Sequence, residues 1–354
     1  MNSLIENAGE DSGQNRPHDL IENTYNKGGG VSQMQNYEIT IVGAGLAGIT
    51  AARRLKKQGR DRILLVDKST SVGGRLATRR VANGKADHGA QFFTVRTDEL
   101  NEDVEDWLEK GWIRHWYGED YPRYTAVDGM NRLAKQLSEG FDTLLQSKVV
   151  EIKRQDGFYK LIDDQGKTWK SEKVLLTMPV PQVVQLMKDS QLNVPVETMK
   201  QLKSIAFEPT YVGIFHFQHA TSLPGSGQVD QDLPDGMERI VDHQKKEISD
   251  DVIVSIYMTG DWSRRHYGED YVMGLMKEKA ASYLDFDDIQ SEQLKRWRYA
   301  QANKVIRSPY LDLTGEGTLV CAGDAFLREN DSAGRTRFES AYLSGKDAAA
   351  FLSW

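Results

Sequence analysis

The chain has 354 residues, 39% of them hydrophobic and 27% charged, with a formal net charge of −7. That length accommodates two domains or one interrupted domain, and that balance belongs to a folded, soluble protein. The missing basic footprint argues against nucleic acid as the main partner. No apolar run approaches the roughly 20 residues of a membrane span, and the polar N-terminus is no secretory signal.

Residues 1–36 are polar and carry Gly28-Gly29-Gly30, which predicts a disordered tail with Met34 as an alternative start. Order is expected from Tyr37. The run 37–42 reads as a strand, Gly43-Ala44-Gly45-Leu46-Ala47-Gly48 as a turn, 49–58 as a helix and 62–66 as a second strand ending at Asp67. Helices are predicted over 98–110 and 130–138. Strands follow over 147–153, 157–163 and 173–178, with turns at Asp156-Gly157 and Gln165-Gly166. Strands over 208–218 and 251–258 flank a polar stretch near 221–236 that reads as a surface loop. A helix over 269–284, an apolar strand over 318–322 and a closing helix over 339–353 complete the reading.

The glycine series stands in the context its chemistry needs, between a strand and a helix. Gly43 permits the tight turn, Gly45 lets the backbone approach a pyrophosphate, and Gly48 lets helix and strand pack closely. The phosphates would meet free N–H groups at a helix start that carries roughly +0.5 of an elementary charge. Asp67 follows Gly48 by 19 residues, the placement of a ribose-binding carboxylate. The series predicts a dinucleotide site. No second glycine fingerprint follows, so a separate NAD(P)H domain is not expected.

Further segments point to one family. Asp67-Lys68 is followed by Gly73-Gly74-Arg75, then by Ala86-Asp87-His88-Gly89-Ala90-Gln91-Phe92-Phe93. Later come Asp261-Trp262-Ser263, Arg296-Trp297-Arg298-Tyr299-Ala300 and Cys321-Ala322-Gly323-Asp324, with Phe338-Glu339-Ser340-Ala341 near the end. From about Tyr37 onward this series resembles the renalases, a branch of the flavin amine oxidase superfamily. The resemblance implies an α/β fold: a Rossmann-type FAD-binding domain of the glutathione reductase and amine oxidase type, with an inserted mixed-sheet substrate domain. Residues 37–97, 126–178 and 308–354 would form the first; residues 98–125 and 179–307 would form the second.

The resemblance also implies that FAD is the cofactor and where it is held. The phosphate side falls to Gly43, Ala44, Gly45, Leu46, Ala47 and Gly48, with Asp67, Lys68, Gly74 and Arg75. Ala90, Gln91, Phe92 and Val149 add contacts. Gly323 and Asp324 would take the ribityl chain. Arg337, Phe338 and Glu339 open a helix whose positive end would face the flavin's pyrimidine side. Renalases oxidise 2- or 6-dihydro isomers of NAD(P)H to NAD(P)+ and pass the electrons to oxygen, giving hydrogen peroxide. That makes the expected partners a reduced nicotinamide isomer, or in the alternative an amine, together with O2.

Trp262, Trp297 and Tyr299 are candidate aromatic walls for a planar donor. Tyr257 stands where renalases tend to carry a histidine, which leaves substrate choice less determined than cofactor choice. His88 reads as a structural hydrogen bonder rather than a base, and His243 and Lys245 as part of a solvated, charged turn. His216 and His219 would point to opposite faces of a strand and make no metal site. The single cysteine, Cys321, forbids an internal disulfide and a thiolate metal cluster. It reads as a buried, inert thiol and points to a reducing, cytoplasmic compartment. No metal is expected. An FAD-fold binding protein without catalysis is the third reading, disfavoured by the intact Gly323-Asp324 and the aromatic set.

Overall fold

The structure, a computed structural model, describes residues 35–354; the tail predicted for the N-terminus lies almost wholly outside the described residues. Strand β1 (Asn36–Val42) leads through the glycine turn into helix α1 (Leu46–Lys57) and strand β2 (Ile63–Val66). The hairpin β3 (Thr78–Val81) and β4 (Gly84–Asp87) comes next, then α2 (Asp98–Glu109) and a second hairpin, β5 (Ile113–Tyr117) and β6 (Arg123–Ala126). Helix α3 (Met130–Ser138), β7 (Asp142–Leu144) and the antiparallel arm β8 (Val149–Gln155) and β9 (Phe158–Asp163) lead into β10 (Thr168–Leu176).

Strands β1, β2, β7 and β10 pair in parallel, joined by β17 (Leu319–Cys321). All four residues of β2 and all three of β17 are buried, the pattern of strands covered on both faces. The sheet order places β1 between β2 and β10, with α1 crossing toward β2. The Gly43–Gly48 turn therefore opens at the carboxyl end of β1, at a topological switch point, where α/β sheets bind ligands.

Helix α2 buries Leu100, Val104 and Trp107 in one core with α1 and with α8 (Phe338–Leu352). Helices α4 (Val180–Asp189) and α5 (Val196–Ser204) pack with β8–β10 in a second core. A third core lies on one face of a five-stranded sheet whose members are β11 (Phe207–Phe217), β12 (Gln228–Val229), β13 (Met237–Asp242), β14 (Ile253–Met258) and β15 (Ile289–Ala302). Helices α6 (Gly260–Arg265) and α7 (Val272–Ala280) cover that face. The short strand β16 (Leu311–Asp312) edges the parallel sheet.

The long strand β15 was not expected from the sequence. It is an edge strand whose exposure alternates only over Lys295–Tyr299, and its Lys295, Arg296 and Arg298 give it the charge of a loop. Such charges protect a sheet edge from further pairing. The stretch predicted as a loop near 221–236 contains only the two-residue strand β12, and the helix predicted over 269–284 shortens to Val272–Ala280.

Candidate functional site

The glycine turn is held from several sides. Gly43 adopts φ of +113°, which a side chain rarely tolerates, and its N–H donates to Val66 O at 2.7 Å. Ala44 N–H donates to Asp67 Oδ2 at 2.9 Å and Ser69 N–H to Asp67 Oδ1 at 2.8 Å, so the carboxylate also fastens the turn. A Cβ on Gly48 would run into Gly43 O. Gly45, by contrast, has no described atom beyond its chain neighbours within 4 Å of where its Cβ would be. Helix α1 starts there with no side-chain cap and no acidic residue in its first turn. The first-turn N–H groups of Leu46, Ala47 and Gly48 are thus left for an anion, and a pyrophosphate fits this cradle.

Lys68 is exposed and donates to Gln182 Oε1 at 3.1 Å, while Val149 is buried at the head of β8. Gly74 sits beside Gly45, and Arg75 extends from it to Asp324, bonding both carboxylate oxygens at 2.6 and 2.7 Å. Arg75 also donates to Ala300 O at 3.1 Å, tying the end of β15 to the parallel sheet. Gly323 and Asp324 follow β17, with Gly323 N–H donating to Ser344 Oγ at 2.8 Å. The two ends of the chain's predicted FAD signature therefore meet, a pairing of Arg75 with Asp324 that no spacing in the sequence marks.

At the start of α8 the side chains are committed to structure. Glu339 is fully buried and accepts from Arg96 N–H, Thr97 N–H and Thr97 Oγ1 at 2.8–2.9 Å. Arg337 pairs with Asp331 at 2.7 Å, and Phe338 stacks on Phe93 with ring centroids 4.2 Å apart. What this helix start offers a cofactor is its backbone N–H groups and positive end rather than these side chains.

The turn 87–91 lies between the two halves of the site. Lys246, fully buried, donates to Asp87 Oδ2 at 2.8 Å, Gln91 O at 2.7 Å and Gln91 Oε1 at 3.0 Å. All three ammonium protons are used. Asp87 Oδ1 accepts from Met130 N–H at 2.9 Å and Thr78 Oγ1 at 2.5 Å. Burial draws the Lys246 ammonium down from the usual lysine range, opposed by Asp87. The reading of His243 and Lys245 as part of a solvated turn is corrected too. His243 is fully buried as well, its Nε2 sharing a hydrogen bond with Ser255 Oγ at 2.7 Å, and Lys245 is half-buried with Nζ donating to Thr221 O at 2.9 Å.

Tyr257 is buried on β14, 6% exposed. Its hydroxyl lies 3.0 Å from both Asp87 O and Gly89 O and accepts from Gln91 Nε2. Burial, then the nearby Asp87 charge, pushes the phenol well above its ordinary range. The Tyr257 hydroxyl, at a position where catalysis could have used it, is therefore spent on the 87–91 turn. His88 stacks on Trp297, centroids 5.4 Å apart and planes 24° from parallel, and Trp297 Nε1 donates to His88 O at 2.7 Å. Burial, with Lys295 second, lowers the His88 imidazole to about 4, so it is neutral near pH 7. That agrees with a structural rather than a basic role.

Trp297 and Tyr299 share one face of β15, the face turned to this turn. Trp262 does not join them. It is 2% exposed behind the sheet, packed on Tyr211 and His266 in the third core, and a Cβ on Gly236 would strike its ring. The expectation of a Trp262 wall is corrected: the α6 helix that carries it covers the far face of the sheet. Residues that sequence reasoning missed line the other side. The β5–β6 hairpin brings Trp116, Tyr117 and Arg123 to Phe92, and β13 brings Arg239. Nothing in their local sequence marks them, since the site forms only when the hairpin and the sheet meet.

Cys321 is buried and burial raises its thiol, as expected for an inert cysteine. His216 and His219 pair separately, with Asp251 at 3.6 Å and Asp288 at 2.6 Å. No helix among the described residues is long and apolar enough to cross a membrane.

Comparison with known proteins agrees with this geometry. Residues 41–110 match the NAD(P)-binding Rossmann-like domain, and residues 106–352 match the family of flavin containing amine oxidoreductases. Mouse (Mus musculus) renalase is 25% identical over 320 residues, 82% of this chain and 94% of its own. The 1-hydroxycarotenoid 3,4-desaturase of Flavobacterium sp. is 32% identical over 110 residues, covering 29% of this chain and 22% of its own. Among solved structures, a putrescine oxidase variant superposes with a TM-score of 0.65 at 12% identity, over 90% of this chain and 99% of that one. A putative protoporphyrinogen oxidase from Exiguobacterium sp. gives 0.59 at 13% identity, over 90% and 98%. The chain therefore belongs to the flavin-containing amine oxidoreductase family, as a renalase-like, FAD-dependent oxidoreductase.

Proposed function

We propose that the protein oxidises 2- or 6-dihydro isomers of NAD(P)H to NAD(P)+. FAD, when bound, would supply the hydride-accepting and oxygen-reducing chemistry, so that overall one isomer, one O2 and one proton give NAD(P)+ and hydrogen peroxide. The observation that carries this reading is a flat aromatic wall flanked by His88 and Tyr257, neither of which titrates near pH 7. Trp297 stacked on His88 offers a surface for a planar dihydropyridine. The His88 imidazole is lowered to about 4, too weak a base to hold a proton near pH 7, and the Tyr257 hydroxyl is bound to the backbone carbonyls of Asp87 and Gly89. Hydride donation needs position rather than proton transfer, which is what such residues provide.

The FAD contacts are proposed in the same terms. The Gly43–Gly48 turn with Asp67 and Arg75 would hold the pyrophosphate and ribose, Asp324 the ribityl side, and Ala90, Gln91 and Phe92 would border the ring. We propose the five-stranded sheet of residues 207–302, with the β5–β6 hairpin, as the substrate half. Amine oxidation is the second reading, favoured by the family to which the chain belongs. Anaerobic mixing of the yellow protein with dihydronicotinamide isomers, with benzylamine in parallel, separates the two. Bleaching of the visible flavin band by the isomers alone supports the proposal, and bleaching by amines alone overturns it.

A further inference from the structure

We propose that Arg123 and Arg239 form an anion subsite that takes the phosphates of a pyridine dinucleotide beside Phe92. The inference rests on the dihydronicotinamide reading and deepens it, because it makes the substrate a nucleotide rather than a bare ring.

The two guanidinium groups come from different elements, Arg123 from β6 and Arg239 from β13, yet converge on one ring. Their central carbons lie 5.4 and 5.6 Å from the Phe92 centroid. Arg123 also lies 4.7 Å from the Tyr117 centroid and Arg239 6.0 Å from that of Tyr257. Phe92 follows Gln91 directly in the turn that Lys246 braces, so the pair sits at the edge of the reaction site.

Their charge is poorly matched within the protein. Among the described residues no carboxylate pairs with Arg123. Its one hydrogen bond goes to Tyr121 O at 3.4 Å, and its buried Nε has no protein partner. Among the described residues Arg239 pairs with its sequence neighbour Glu238 alone, at 2.8 Å, a side chain 40% exposed. The nearby Asp230 accepts from Gln228 Nε2 at 2.8 Å and forms no ion pair. Lys246 is neutralised by Asp87. Two cations held against one aromatic ring repel, in a chain with a net charge of −7 that has acids to spare. An anion within reach of both would lower that repulsion. Guanidinium forks match phosphate oxygens two at a time, which suits a pyrophosphate better than any uncharged group. A protonated amine would meet the same field as a penalty.

The test uses the FAD-loaded protein, titrated with NAD+ and, separately, with nicotinamide riboside, following perturbation of the flavin band. Replacing Arg123 or Arg239 with Met should weaken NAD+ binding about tenfold or more, the loss expected for a charge-assisted contact. Riboside binding should stay within about twofold, and Arg123→Lys should recover part of the loss. Flavin content and melting temperature check that each variant folds; Arg239→Lys serves if Arg239→Met does not. If the wild-type protein oxidises the isomers but both Met variants bind NAD+ as tightly as it does, the subsite is wrong and the function stands. If the wild-type protein oxidises neither isomer, the underlying reading fails and the subsite with it.

Discussion

Lys246 and Asp87 form an ion pair at 2.8 Å in which both side chains are fully shielded from solvent. The pair joins the turn after β13 to the turn after β4, 159 residues away in sequence. Removing one partner leaves a buried charge without compensation, which costs about 3–5 kcal/mol. We therefore expect Lys246→Met to lower the melting temperature sharply, and Lys246→Met combined with Asp87→Asn to recover part of the loss. A single variant as stable as wild type would show that the pair does not hold the turn.

Tyr257→Phe removes a hydroxyl whose partners are Asp87 O, Gly89 O and Gln91. The expected cost is about 1–3 kcal/mol of stability, since buried acceptors lose their donor. The rate of flavin reduction, measured by stopped flow, should change by less than about tenfold. A loss of a hundredfold or more would return the phenol to the chemistry.

The two tryptophans should part company. Trp262→Ala opens a cavity in the third core and should cost about 3–5 kcal/mol, visible in urea unfolding, with little change in substrate KM for the folded fraction. Trp297→Ala removes the wall stacked on His88 and should raise KM while leaving stability closer to wild type. The reverse pattern would exchange their roles.

The His88 imidazole is lowered from 6.5 to about 4 by burial. Between these values the unfolded chain binds more protons than the folded one, so stability is full above pH 6.5 and falls as the pH drops toward 4. The loss attributable to this group is at most about 3 kcal/mol and should disappear in His88→Asn, measured by urea unfolding at pH 7.5 and 5. Because His88 stays neutral through this range, it should contribute no inflection to the pH dependence of flavin reduction between 5.5 and 8.

The first βαβ unit was legible because its chemistry is local: Gly43, Gly45, Gly48 and Asp67 are fixed by spacing within one stretch of chain. The strand β15 was not, because an exposed edge strand carries the charges of a loop. Lys246 stands in the run Lys245-Lys246-Glu247, which reads as solvated, and only its distant partner Asp87 shows otherwise. Trp262 and Trp297 look alike in sequence, since periodicity does not say which face of the five-stranded sheet an element covers. Arg123 and Arg239 were invisible for a related reason: a site assembled from a hairpin and a separate sheet has no sequence spacing to read.

The most direct test is anaerobic reduction of the bound FAD by 2- and 6-dihydro NADH, followed by admission of air. The account predicts rapid bleaching by at least one isomer, NAD+ as product, and recovery of the flavin band with one peroxide per turnover. A flavin that stays oxidised with both isomers yet bleaches with amines would contradict it.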